Sequence, residues 1–195
     1  MRHRRPKIAH ITTVDLSLRY LILPQLLAPI EHGIESVGIS APGPWVADLE
    51  SRGIRHVLLE SSTRGVDPRA DLKAMWELVG VLRRERPDIL HTHNPKPGLY
   101  GRVLGRLMGI PIVVNTVHGI YAAPDDPLMK RAVVYALEAI ASRFSDAELV
   151  QSSEDAALMA RLRIAPPTKV HHLGNGVDLE RFDPRRVGPE VRRAV

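Results

Sequence analysis

The sequence predicts an α/β protein, a doubly wound and mostly parallel sheet of about seven strands with a Rossmann-like order of elements. Short apolar runs recur down the chain at Lys7–Ile11, Glu35–Ile39, Ile54–Leu59, Ile89-Leu90, Ile112–Val114, Ala147–Val150 and Lys169–Leu173. Each suits a buried strand better than a helix. Segments of helical spacing separate them, and such alternation makes parallel strands with right-handed crossovers and helices on both faces. Two neighbouring strands then end in polar, histidine-bearing loops at the same end, HTHNPKPG from His91 and NTVHG from Asn115. An open α/β sheet places its ligand there.

The elements follow in order. After Lys7–Ile11 comes Thr12–Ser17 and a helical segment to about His32, closed by Gly33. Trp45–Arg52 is a brief helix ended by Gly53. Asp67-Pro68 opens a long helix with an N-cap and a first-turn proline, and Leu72, Met75, Trp76, Val79 and Leu82 form its apolar stripe. Pro87 stops it. The prolines and glycine of His93–Gly98 argue against an immediate helix, so the next helix is expected after Pro97. There Gly101, Gly105 and Gly109 recur four apart, and the cost of interior glycines implies close packing on the sheet. Asp126–Phe144 reads as an amphipathic helix and Ser153–Leu162 as a capped one. The tail from Gly174 is polar and turn-rich.

Composition narrows the function. The 195 residues contain no cysteine, which removes disulfides, thiolate metal sites and cysteine nucleophiles. The formal charge of +5, carried mostly by arginine, suits phosphorylated ligands or an anionic membrane surface. Arginine-rich compositional bias explains it equally well. Aromatics at 4% and the absence of a basic helix disfavour nucleic acid. No apolar run reaches membrane-spanning length, and no signal peptide is legible. A cytoplasmic setting is the expectation. The arginine excess and the amphipathic Asp126–Phe144 helix motivate peripheral attachment to the inner face of the membrane, with a core-facing stripe as the competing explanation of that helix.

The first βα turn, Thr12–Leu18, has no glycine, so a standard NAD or FAD site is excluded. A Walker A pattern is absent as well. Thr13, Ser17 and Arg19 could bind an anion at the helix start, although capping and exposure account for them too. His91 and His93 share a strand face, but no third ligand stands at a recognised spacing, so no metal is expected. His91 is read as a satisfied strand-end residue, with His93, Asn94 and Lys96 facing the cleft. His118 follows a buried strand and precedes Gly119, which allows a close approach. It is the leading candidate for a chemical role.

Three stretches carry a resemblance: His91–Tyr121 as a whole, SDAELVQSSED (Ser145–Asp155) and GNGVDLERFDP (Gly174–Pro184). Together they resemble the N-terminal half of family-4, GT-B-type retaining glycosyltransferases, over essentially the whole chain from Lys7. SLRYLILPQL and HNPKPG look most similar to enzymes that extend lipid-linked or exopolysaccharide sugars. The resemblance implies a Rossmann-like acceptor-binding domain over residues 1–173. Residues 174–195 would then be a hinge and the start of a donor-binding domain, with Asn175, Val177, Asp178 and Phe182 at the hinge. It implies that His118 is the catalytic histidine reaching the transferred sugar. Thr13, Ser17, Arg19, His93, Asn94, Lys96 and Gly119 become substrate-binding positions. No cofactor or metal is implied. The partners are a sugar acceptor and a nucleotide-sugar held by the second domain. Because the chain stops where that domain should begin, it is expected to be inactive alone. Glu77 and Glu85 have the spacing of the family's carboxylate pair, but they lie in a striped helix without glycine-rich context and are read as a solvated face. Two other readings stay open: a sugar-nucleotide epimerase or hydrolase of GT-B type, and a non-catalytic domain completed by a separate partner chain.

Overall fold

Seven strands, β1 (Lys7–Val14), β2 (Glu35–Ala41), β3 (Arg55–Leu58), β4 (Ile89–His93), β5 (Ile112–Val117), β6 (Ala147–Val150) and β7 (Val170–His172), form one parallel sheet in the order β3-β2-β1-β4-β5-β6-β7. The computed structural model describes residues 5–65, 67–123 and 125–176, together with Leu179, Asp183 and Arg185. Asn175 falls among them; the hinge positions Val177, Asp178 and Phe182 lie outside the described residues. Strand order reverses between β1 and β4, so the loops leaving those two strands diverge and open a crevice at their carboxyl ends.

Three helices, α1 (Asp15–Tyr20), α2 (Leu23–Glu31) and α3 (Val46–Ser51), cover one face over β1–β3. Leu18, Ile22, Leu26, Leu49 and Ile54 make the core there. The other face carries α4 (Pro68–Glu85), α5 (Pro95–Leu107), α6 (Leu128–Ala141) and α7 (Ser153–Arg161). Leu78, Val81 and Leu82 of α4 pack there against Ala9, Ile11, Val37, Ile39, Leu90 and Val113 of the sheet.

Several elements differ from the sequence reading. The first helical segment breaks into α1 and α2 because Pro24, lacking an N–H, sits only in a first turn. In α4 the buried face is Ala74, Leu78, Val81, Leu82 and Glu85, while Leu72 and Trp76 are 57% and 71% exposed. Two apolar phases share Leu82, and the sheet selects the one whose small Ala74 lets the helix approach. Glu85 is therefore not solvated: it receives Arg55 Nη1 and Nη2 at 2.8 and 2.7 Å and Lys7 Nζ at 3.2 Å. Glu77 is also engaged, accepting from Ser61 N and Oγ at 2.9 and 2.7 Å. Helix α5 begins at Pro95, directly after β4. Prolines suit a first helical turn because its N–H groups have no intrahelical partner in any case.

The glycine face of α5 packs as expected at two of three positions. A Cβ at Gly101 would lie 2.7 Å from Thr92 Cγ2, and one at Gly105 would lie 2.6 Å from Leu90 Cδ2. Gly109 instead ends the helix at φ +75°, with nothing within 4 Å of an added Cβ. Gly105→Ala is expected to lower stability by about 1–3 kcal/mol through overpacking. Gly80→Ala, in open space on α4, should raise it by about 0.5–1 kcal/mol through helix propensity. Urea midpoints check both, and a Gly105→Ala midpoint at or above wild type would refute the close approach.

Candidate functional site at the strand ends

Two adjoining clefts occupy the carboxyl ends of β1, β4 and β5. One, of about 300 Å³, is lined by Asn94, Pro95, Gly98, Arg102, Asn115, His118, Gly119 and Tyr121, with an apolar wall of Leu21, Leu99, Ile120, Val134 and Leu137. The other, of about 480 Å³, is lined by Thr13, Ser17, Thr63, Arg64, Asn94, Pro95, Lys96 and Tyr121. Asn94, Pro95 and Tyr121 belong to both, so the clefts form one rim. The rim is held together at the switch point, where Asn94 Oδ1 accepts from Thr13 N at 3.1 Å. Asn94 itself sits at φ +65° and ψ 159°, a conformation essentially reserved for glycine, so the rim stores backbone strain at this residue.

Of the positions named from sequence, Thr13, Ser17, Asn94, Lys96, His118 and Gly119 gather on this rim. Two do not. Arg19 turns away to pair with Asp48 and stack over Tyr20. His93 is 0% exposed, so it does not face the cleft. Its position on β4 points it to the face covered by α1–α3, because it alternates with Thr92, whose methyl meets α5. Lys96 is half-buried, donating to Asp71 Oδ1 at 2.5 Å and to Gly65 O.

Helix α5 offers little backbone to an anion. Pro95 and Pro97 have no N–H, and Gly98 N donates to Asn94 O at 2.8 Å. Helix α1 starts with the buried carboxylate of Asp15, which accepts from Trp45 N and Leu16 N. Both loops thus suit hydroxyl groups better than a phosphate.

His118 is half-buried in the wall of the first cleft, with both ring nitrogens engaged. Nδ1 lies 2.8 Å from Gln151 Oε1 and Nε2 lies 3.1 Å from His93 Nδ1. The floor is a buried ion network. Arg102 Nη1 donates to Glu148 Oε1 at 2.9 Å and Nη2 to Glu138 Oε2 at 2.6 Å. Asn115 Nδ2 and Ser145 Oγ complete the Glu148 carboxylate at 2.7 and 2.5 Å. Sequence reading missed Arg64, Arg102, Tyr121, Gln151 and His10. Arg102, Tyr121 and Gln151 lie within the stretches that carry the resemblance, whereas Arg64 and His10 carried no sequence signal.

A family profile described as a glycosyl transferase 4-like domain matches residues 26–176. This chain belongs to that family. It is 30% identical over 185 residues to the UDP-Gal:α-D-GlcNAc-diphosphoundecaprenol α-1,3-galactosyltransferase of Escherichia coli, covering 93% of this chain and 48% of the relative. Among solved structures, a glycosyltransferase from Rickettsia africae superposes with TM-score 0.70 at 18% identity, over 98% of this chain and 48% of that one. UDP-GlcNAc 2-epimerase from Methanocaldococcus jannaschii superposes with TM-score 0.62 at 16% identity, over 88% and 46%. The chain spans about half the length of these relatives. The fold is that of a GT-B half-domain, shared by glycosyltransferases and epimerases.

Within this family member His10, His91, His93 and His118 are all biased toward the neutral imidazole. Burial pushes His91 down to about 3, with His118 adding to the effect. Burial likewise holds His10 and His93 well below the ordinary imidazole value. His118 is lowered by desolvation, opposed by its hydrogen bond to Gln151. Folded values below the unfolded one mean that the unfolded chain takes up the extra protons as acid is added. Stability should therefore be full above about pH 6.5 and fall as pH drops below it, by up to about 1.4 kcal/mol per pH unit for each such histidine. Urea midpoints at pH 7, 6 and 5 check this, and a flat profile would contradict it. Arg102→Leu leaves Glu148 buried without its cation and is expected to cost about 3–5 kcal/mol, read as a lowered thermal midpoint.

Proposed function

We propose that this domain is the acceptor-binding lobe of a retaining glycosyltransferase that moves a sugar from a nucleotide-sugar to an acceptor hydroxyl, the acceptor being lipid-linked. One observation carries the reading. The rim that gathers Thr13, Ser17, Asn94, Lys96, His118 and Gly119 continues through the apolar wall of the first cleft onto an uncovered helix face. On α6 the residues Leu128, Met129, Val133, Leu137 and Ile140 are all exposed, and Leu137 also lines the cleft. A polar rim for sugar hydroxyls beside an apolar path suits an amphiphilic substrate at a bilayer surface. The polyprenyl-diphosphate acceptor in the E. coli relative's name has that chemistry. Among the described residues no helix is long and apolar enough to cross a membrane, so the proposed attachment is peripheral.

The nucleotide-sugar, in this reading, is held by a second lobe facing the rim. Charge building on the departing diphosphate is met there by fixed positive groups and helix N-termini, without need of metal. His118 sits where it can align the transferred sugar against the acceptor. Being neutral with both nitrogens engaged, it acts by orientation and not by proton transfer.

The test uses vesicles of phosphatidylcholine and phosphatidylglycerol with and without a polyprenyl-diphosphate N-acetylglucosamine. The chain should sediment better with the loaded vesicles. Asn94→Ala and Lys96→Ala should weaken that sugar-dependent part about tenfold, or about 1.4 kcal/mol, while Val133→Glu should abolish sedimentation altogether. Equal sedimentation with bare and loaded vesicles would rule out the acceptor reading. Release of UDP from a UDP-sugar by this chain alone would show that the proposed division of labour between lobes is wrong.

A further inference from the structure

Behind His118 three more imidazoles lie on the sheet face that carries α1–α3. His10 of β1 is in register with His91 of β4, and His93 of β4 with Thr116 of β5. Four side chains make a single file from core to cleft. His10 Nδ1 lies 3.2 Å from His93 Nε2, His93 Nδ1 lies 3.1 Å from His118 Nε2, and His118 Nδ1 lies 2.8 Å from Gln151 Oε1. His91 stands beside the file, its Nε2 engaged by Thr116 Oγ1 at 2.7 Å.

A neutral imidazole has one N–H and one lone pair, so fixing either end fixes every ring between. The Gln151 amide can turn either its oxygen or its NH2 to the ring, so the order is set from the core end. His10 Nε2 is buried with no acceptor to receive an N–H, and His10 therefore donates from Nδ1. His93 must then accept at Nε2 and donate from Nδ1, which gives His118 a lone pair at Nε2 and an Nδ1–H that draws the Gln151 oxygen toward it. Burial of His10 and His93 disfavours the protonated rings that would break this alternation.

We propose that His93 and His10 are positioning residues for His118, locking it as the Nδ1–H tautomer with Nε2 turned inward. His118 therefore meets the cleft with its ring edge and with the backbone running into Gly119. A sugar hydroxyl can engage Nε2 only by displacing His93. The role in the reaction rests on the acceptor-lobe reading above, whereas the tautomer order does not.

Nitrogens of His10, His91 and His93 also lie within 4.8 Å of one another, as a divalent cation would require. No carboxylate joins them among the described residues. A dication there would be buried without charge compensation, which burial penalises heavily.

The decisive measurement is a two-bond proton–nitrogen correlation spectrum of the chain labelled with ¹⁵N-histidine, assigned by single substitutions. Nδ1–H forms at His118, His93 and His10 are expected. An Nε2–H form at His118 or His93 overturns the proposal. His93→Leu should release His118 toward the Nε2–H form that a free imidazole favours, and His93→Gln, which retains a donor, should keep the Nδ1–H form. An unchanged His118 in His93→Leu overturns the lock. If His93→Leu does not fold, the wild-type and His93→Gln spectra decide. In the vesicle assay His93→Leu should lose sugar-dependent sedimentation about tenfold while His93→Gln retains it; unaltered sedimentation of His93→Leu overturns the positioning role. Failure of the acceptor reading shows separately, as no sugar dependence in the wild type. Joint displacement of the His10, His91 and His93 signals by one equivalent of Zn²⁺ would replace the file with a metal site.

Discussion

The pairing of β1 with β4 is the seam on which the rest depends. These strands are far apart in the chain yet lie side by side where the sheet changes direction. Their register sets His10 against His91, brings the turn after β1 to the turn after β4, and lets Asn94 hold the Thr13 backbone. A slip of one residue would turn every side chain of β4 to the opposite face. His91 and His93 would then meet α5, and Thr92 would lose its contact with Gly101. The close helix contact and the histidine file thus stand or fall with one register.

Beneath the rim, the α5 side is held by charge. Arg102, Glu148 and Glu138 form a network nearly closed to solvent, finished by Asn115, Ser145 and the Gly98 carbonyl. Buried ions are tolerated when their hydrogen-bonding capacity is met, and here the partners come from β5, β6, α5 and α6. The network ties β5 and β6 to the two helices that flank the cleft. On the other face the histidine file does comparable work with neutral groups. One wall of the rim is therefore set by ion pairs and the other by tautomers, and only the second should respond to mild acid.

Much of the fold was legible because the signals were local. Strand runs, the Asp67 cap whose side chain accepts from Arg69 N and Ala70 N, and the Gly101–Gly105 spacing each follow from neighbours in sequence. The misread elements were those with two local solutions. Helix α4 had two apolar phases, and only the sheet could choose between them. Glu85 reads as a surface acid until β1 and β3 deliver Lys7 and Arg55 to it. The prolines after His93 read as a barrier to helix, yet they begin α5 because a first turn needs no N–H.

By itself the sequence determined the element order, the parallel doubly wound sheet and the loops that would form the rim, since propensity, capping and apolar period act over a few residues. Only the tertiary structure decided how those loops are furnished. It withdrew Arg19 to Asp48, took His93 from the cleft into the core, and joined His10 to His118 through it. The reason is that such contacts depend on strand register across the switch point, and the relative offset of two distant strands is set by the packing of the whole sheet.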